Sequence, residues 1–141
     1  MNRRDFVLLT AAVTLAAPLG ATRLRAETVT YKPGVVSEAL DAGKTVFVDF
    51  YASWCSTCQT QHRVMDTLKA GNPDYEKNIV FVVVDWDSYK DGMLSAELKI
   101  PRRSTLVVLK GDKELGRIVA GTSRAQIKAL MDTALMAATS T

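Results

Sequence analysis

The 141-residue chain holds only two cysteines, Cys55 and Cys58, and a single histidine, His62. Two thiols cannot build a disulfide-rich scaffold, and a structural zinc site of the Cys/His kind wants a second ligand pair that is missing. Glycine and proline are sparse, at 8 and 4 residues, while 48% of the chain is hydrophobic. Collagen-like, low-complexity and wholly disordered classes are thereby excluded. The length fits one domain and no internal repeat is visible. No apolar run beyond residue 26 approaches the ~20 residues that cross a bilayer.

The first 26 residues read as an export signal. Arg3 and Arg4 form a positive start, Phe6–Ala17 is uncharged and mostly apolar, and Ala21 and Ala26 offer small residues for cleavage. The string Asn2-Arg3-Arg4-Asp5-Phe6-Val7-Leu8 resembles a bacterial twin-arginine signal, with Asn2 where Ser or Thr is usual. A periplasmic location is therefore expected, with residues 27–141 as the single mature domain. Removing residues 1–26 takes away four arginines and one aspartate, leaving basic and acidic residues in equal number. The formal charge of +3 belongs to the signal and gives no argument for nucleic-acid binding.

Three runs read as strands buried on both faces: Thr45–Tyr51, Ile79–Trp86 and Thr105–Lys110. Glu114–Ala120 alternates and suits an edge strand, joined to the third run by a hairpin at Gly111-Asp112-Lys113. Glu27–Tyr31 adds a weak first strand. Helices are expected over Val36–Ala42, Ser56–Ala70 (stopped by Gly71-Asn72-Pro73), Asp91–Leu98, and after a capping box at Ser123 and Gln126. The order predicts an α/β fold with a central mixed, mostly parallel sheet, a C-terminal antiparallel hairpin and flanking helices.

The chemistry lies in Trp54-Cys55-Ser56-Thr57-Cys58. A C-x-x-C that follows a buried strand and opens a helix puts its first thiol where unpaired N–H groups and the helix dipole favour a thiolate. The second thiol sits one turn on, within disulfide reach. Cys55 is the expected nucleophile and Cys58 the resolving thiol.

The string Val48-Asp49-Phe50-Tyr51-Ala52-Ser53-Trp54-Cys55-Ser56-Thr57-Cys58 resembles the thioredoxin superfamily, as do Phe81–Asp87 and Thr105–Gly121. The likeness spans residues 34–136. It implies a thioredoxin fold and dithiol–disulfide exchange through Cys55 and Cys58, with no cofactor. It also implies that Asp49 is the buried acid behind the second cysteine, poised with a raised pKa to accept the Cys58 proton. Trp54, Ser56 and Thr57 would frame the substrate.

Three departures from the family pattern follow. At the position of the usual cis-proline stands Ser104, preceded by Arg103, with Pro101 three residues early. Spacing favours Ser104 in that role, with a trans Arg103–Ser104 bond, since a cis one costs several kcal/mol. The Arg102-Arg103-Ser104 loop would then help set partner choice. Val83 replaces a lysine beside the acid, so Asp49 is expected to lack a cationic partner. Arg63 replaces a helix-bending proline, so the active-site helix should run straighter.

Cys55, Cys58 and His62 fall on one helical face, which leaves a copper or zinc chaperone as the alternative reading. Asp85 and Asp87 are read as strand-end capping and loop solvation. The preferred reading is a monomeric, exported reductase of disulfide-containing partner proteins. A membrane thiol-disulfide interchange protein would be its electron source, because no soluble reductant pool supplies that compartment.

Overall fold

The computed structural model describes residues 28–140; the expected export signal and its expected cleavage positions lie outside them. The elements are β1 (Val29–Thr30), α1 (Val35–Asp41), β2 (Thr45–Tyr51), α2 (Ser56–Gly71), α3 (Asp74–Asn78), β3 (Ile79–Asp85), α4 (Trp86–Tyr89), α5 (Met93–Glu97), β4 (Thr105–Lys110), β5 (Lys113–Val119) and α6 (Arg124–Thr139). They form a five-stranded sheet in the order β1-β3-β2-β4-β5. β1 and β2 run parallel to β3, β4 runs antiparallel to β2, and β5 antiparallel to β4. Four of the five strands therefore point the same way, and β4 alone is reversed.

The apolar runs are continuous because each strand feeds two cores. Phe47, Phe81, Leu106 and Val108 meet Met65 and Leu68 of α2 and Ile127, Leu130 and Met131 of α6 on one face. Their neighbours Val46, Val48, Val82, Val84 and Val107 turn to the other face, against Val36 of α1 and the α4–α5 segment. Side chains alternate across a strand, so Asp49 shares the Phe47 face and looks toward α2.

Two local expectations change. The Asn72-Pro73 stop is followed at once by α3, started by the Asn72 side chain accepting from the Asp74 amide at 3.1 Å. That short helix buries Tyr75, whose hydroxyl reaches Asp132 of α6. The helix expected over Asp91–Leu98 is the shorter α5, and an unexpected turn, α4, precedes it, starting at Trp86 where the strand was expected to end. They are linked by the buried Ser95 hydroxyl donating to the Tyr89 carbonyl at 2.9 Å. With Arg63 at the proline position, α2 runs unbroken for 16 residues. Among the described residues no helix is long and apolar enough to cross a membrane.

Candidate active site

β2 delivers the chain through Ala52 to the N-terminus of α2, where Cys55 is the capping residue. Its sulfur accepts from the Cys58 amide at 3.2 Å, as a capping side chain should. Both cysteines are buried, free thiols. The pair sits against Ala52, with Tyr51 and Trp86 packed beside it.

The two sulfurs are not equivalent. Burial pushes the Cys55 thiol up. The Cys58 thiol, the Ser104 hydroxyl, the Cys58 amide and Arg103 all stabilise the thiolate, and together they bring it down to about 7. Burial and the neighbouring Cys55 hold the Cys58 thiol above its ordinary value. One thiol is thus partly ionised at neutral pH while the other keeps its proton, the division that a nucleophile and a resolving thiol need.

Ser104 lies opposite the cysteines, on the approach to β4. Its hydroxyl is 3.1 Å from Cys55 Sγ and 3.0 Å from Cys58 Sγ. No peptide bond among the described residues is cis, and Ser104 instead takes a left-handed conformation at φ +62°. Proline, fixed near −65°, cannot adopt that backbone. Ser104 is fully buried beneath the sulfurs, so its contacts are with the thiols and not with open surface. Pro101 is exposed, outside this contact.

Gln61 holds the loop in place, a role that sequence reasoning missed. It is completely buried, and its side-chain amide donates to the Ser104 carbonyl at 3.0 Å and the Gly121 carbonyl at 2.9 Å. The Ala120 amide donates to the same Ser104 carbonyl, and the Ser104 amide to Phe50. Residues 58, 61, 65 and 68 are the buried positions of α2, and that spacing is the signal that marks Gln61 as inward-facing.

The expectation for Asp49 needs correction. Val83 does stand beside it in register, yet Asp49 has cationic neighbours, supplied by α2. His62 Nε2 pairs with Asp49 Oδ2, and the His62 ring stacks on Tyr51 at 4.1 Å. Lys69 lies farther along the same helix, its ammonium over the Phe81 ring. Burial nevertheless dominates, and the Asp49 carboxyl stays above the usual range despite His62 and Lys69. Its Oδ1 is buried without a hydrogen-bond partner. A cavity of about 90 Å³, bordered by Asp49, His62, Asp66 and Lys69, opens beside it.

This placement gives the copper or zinc reading no support. His62 is one residue round from the buried stripe and spends Nε2 on Asp49. Among the described residues no group of three His, Cys, Asp or Glu side chains is arranged to hold a metal ion.

The outer rim is built by Trp54, Asp87 and Arg103. The Trp54 ring is 58% exposed, and its indole N–H donates to Asp87 at 2.9 Å. The Arg103 guanidinium lies 4.4 Å over the ring. Asp87 is therefore a site residue and not merely loop solvation, whereas Asp85 stands at the N-cap position of α4 with its carboxylate accepting from the Ser88 hydroxyl at 2.6 Å and from no helix amide. Ser56 is exposed and Thr57 half-buried on the first turn of α2. Arg102 is half-buried, its Nε donating to the Arg103 carbonyl.

Comparison with known proteins agrees with this geometry. The thioredoxin family model matches residues 28–133. A thioredoxin H-type of Fagopyrum esculentum is 34% identical over 82 residues, 58% of this chain and 66% of its own length. The thioredoxin of Chlorobaculum thiosulfatiphilum is 28% identical over 96 residues, 68% of this chain and 84% of its own. Among solved structures, Trxlp of Edwardsiella tarda superposes with a TM-score of 0.63 at 27% identity, covering 73% of this chain and 98% of that one. Schistosoma mansoni thioredoxin gives 0.61 at 25% identity, covering 77% and 95%. With its thiol pair at the head of α2 and a family match across nearly the whole described domain, this chain belongs to the thioredoxin family.

Proposed function

We propose that this thiol–disulfide oxidoreductase works outside the cytoplasm as a reductant of protein disulfides. The direction is supported by the contacts on Cys55 Sγ, from the Cys58 amide at 3.2 Å and the Ser104 hydroxyl at 3.1 Å, which bring its thiol down only to about 7. A strong disulfide donor stabilises its reduced form by holding the thiolate far lower, whereas thiols near 7 go with reducing members of the family. Cys55 attacks a partner disulfide, Cys58 resolves the mixed intermediate, and Asp49 takes up the proton that Cys58 sheds. Trp54, Ser56, Thr57 and Arg103 form the surface that receives the partner chain around Cys55.

Export rests on the sequence alone: Arg3, Arg4 and the apolar run Phe6–Ala17. In such a compartment a membrane thiol-disulfide interchange protein supplies the electrons, and the chain acts as a monomer.

The deciding measurement is the reduction potential of the Cys55–Cys58 pair, read by thiol alkylation in dithiothreitol or glutathione buffers. A value near about −270 mV is expected. A value near about −120 mV would overturn the direction and make the protein a disulfide donor. Residues 1–26 fused to a reporter test location: the fusion should reach the periplasm, and retention in the cytoplasm would refute export.

A further inference from the structure

The Ser104 hydroxyl touches both reacting sulfurs, at 3.1 and 3.0 Å. A hydroxyl carries one proton and two lone pairs, so it can donate to one sulfur while accepting from the other. With Cys55 as thiolate and Cys58 as thiol, the two contacts through Ser104 can run as one relay. Cys58 S–H donates to Ser104 Oγ, and Ser104 O–H donates to Cys55 Sγ.

The position of this hydroxyl is over-determined. Its backbone amide is bound to the Phe50 carbonyl, and its own carbonyl to Ala120 and Gln61. The left-handed φ of +62° is one that a serine adopts only where its surroundings impose it. Cys58 is wholly buried, so no water stands ready to solvate a thiolate formed there.

We propose that Ser104 is a catalytic hydrogen-bond donor that changes partner during the cycle, holding the Cys55 thiolate before the first attack and the Cys58 thiolate before the second. The inference rests on exchange through Cys55 and Cys58, and adds the group that passes stabilisation from one sulfur to the other.

In the first step Cys55 Sγ bonds to one sulfur of the partner disulfide. The other partner sulfur leaves with the electron pair and takes a proton from water. Cys55 is then neutral and needs no donor. As Cys58 gives up its proton to a base, the Ser104 O–H rotates toward it. Cys58 Sγ attacks Cys55 Sγ, the protein disulfide forms, and the second partner sulfur leaves as a thiolate and is protonated. The protein pair is oxidised by two electrons and the partner disulfide reduced by two. Ser104 ends with its own proton.

Ser104→Gly deletes the hydroxyl and keeps the left-handed backbone accessible. Two readings follow in folded protein. The thiolate absorbance of reduced protein should titrate about one unit higher, the size of a charge-assisted hydrogen bond lost. Release of 5-thio-2-nitrobenzoate from its mixed disulfide with Cys55 should slow by about tenfold. Ser104→Ala should match on both, which separates the hydroxyl from the backbone. An unchanged titration in a folded variant would overturn the proposal. A shifted titration with unchanged release would overturn the change of partner. The Raman S–H band of Cys58 in the reduced parent protein needs no variant: a donor thiol shows a lowered frequency, and a free-thiol band would refute the relay. The titration uses no partner disulfide, so it still reads Ser104 if the protein proves inactive in exchange.

Discussion

His62 closes over Asp49: one carboxylate oxygen is paired with the imidazole and the other is buried with no partner. The acid is therefore half-satisfied, and its ionisation depends on a residue that is itself 31% exposed through its side chain.

Replacing His62 with Ala removes the hydrogen bond and the positive neighbour that lower the Asp49 pKa, so that pKa should rise further. The pH profile of mixed-disulfide resolution should move up by about one unit, with little change in the Cys55 attack. His62→Gln restores a hydrogen bond without the charge and should fall between. Rapid-mixing kinetics between pH 5 and 9 provide the check; superimposable profiles would remove Asp49 from the proton path.

Asp49 also sets a stability slope. Its folded pKa lies above the ordinary 3.8, so the folded state binds the proton more tightly than the unfolded chain. The contribution is full below 3.8 and is lost as pH rises through the folded pKa. Asp49→Asn should flatten this loss, which is at most about 1.4 kcal/mol per pH unit. Urea unfolding at pH 5 and 8 compares the two proteins, and parallel slopes would refute a raised pKa.

Cys58→Ser leaves the nucleophile without its resolving partner and should hold substrates as mixed disulfides. Cys55→Ser should hold none, because the remaining thiol is wholly buried and has a raised pKa. Non-reducing electrophoresis of each variant after mixing with insulin distinguishes them. The reverse pattern would exchange the two roles.

Asp87→Ala takes the acceptor from the Trp54 indole. Both groups are exposed, so stability should change by less than about 1 kcal/mol. The effect is expected on partner binding: a KM for insulin disulfides raised about threefold or more, with kcat nearly unchanged. A loss confined to kcat would mean that the indole acts on chemistry and not on docking.

Gly121 has no room for a side chain. A Cβ there would meet Ile118 Cγ2 at 2.7 Å and Gln126 Oε1 at 2.9 Å. Gly121→Ala should cost about 1–3 kcal/mol. Because the Gly121 carbonyl also anchors Gln61, the same variant should disturb the Ser104 loop and raise the Cys55 titration. Thermal unfolding and thiolate absorbance report the two effects separately.

The strands at Thr45–Tyr51 and Thr105–Lys110 were legible to the residue, because a short run apolar at nearly every position has one good home, a strand with a helix layer on each side. Cys55 and Cys58 followed from short-range spacing, and Ser104 opposite them from the resemblance to the thioredoxin pattern. What escaped was carried by long-range polar contacts. The Trp54–Asp87 bond spans 33 positions, and a carboxylate at a strand end has many ordinary uses. Gln61 is hidden in a polar run, Gln59–Arg63, although its spacing from Cys58 and Met65 marks it as inward. His62 is one step round the helix from that stripe, and this 100° turn separates a metal ligand beside the thiols from a partner of Asp49.

The last helix has a consequence for how the chain comes to be. Ile127, Leu130, Met131 and Ala134 of α6 cover the face of the sheet that carries Phe47, Phe81 and Leu106, and Lys110 of β4 reaches the Ala137 carbonyl. Synthesis proceeds from the other end, so all five strands are made before the α6 share of their cover exists. Until α6 has left the ribosome, the part of that face lying under Ile127, Leu130 and Met131 stays bare. Folding is thus completed only once α6 has emerged, and a chain ending before α6 would carry both thiols yet be unable to close its core.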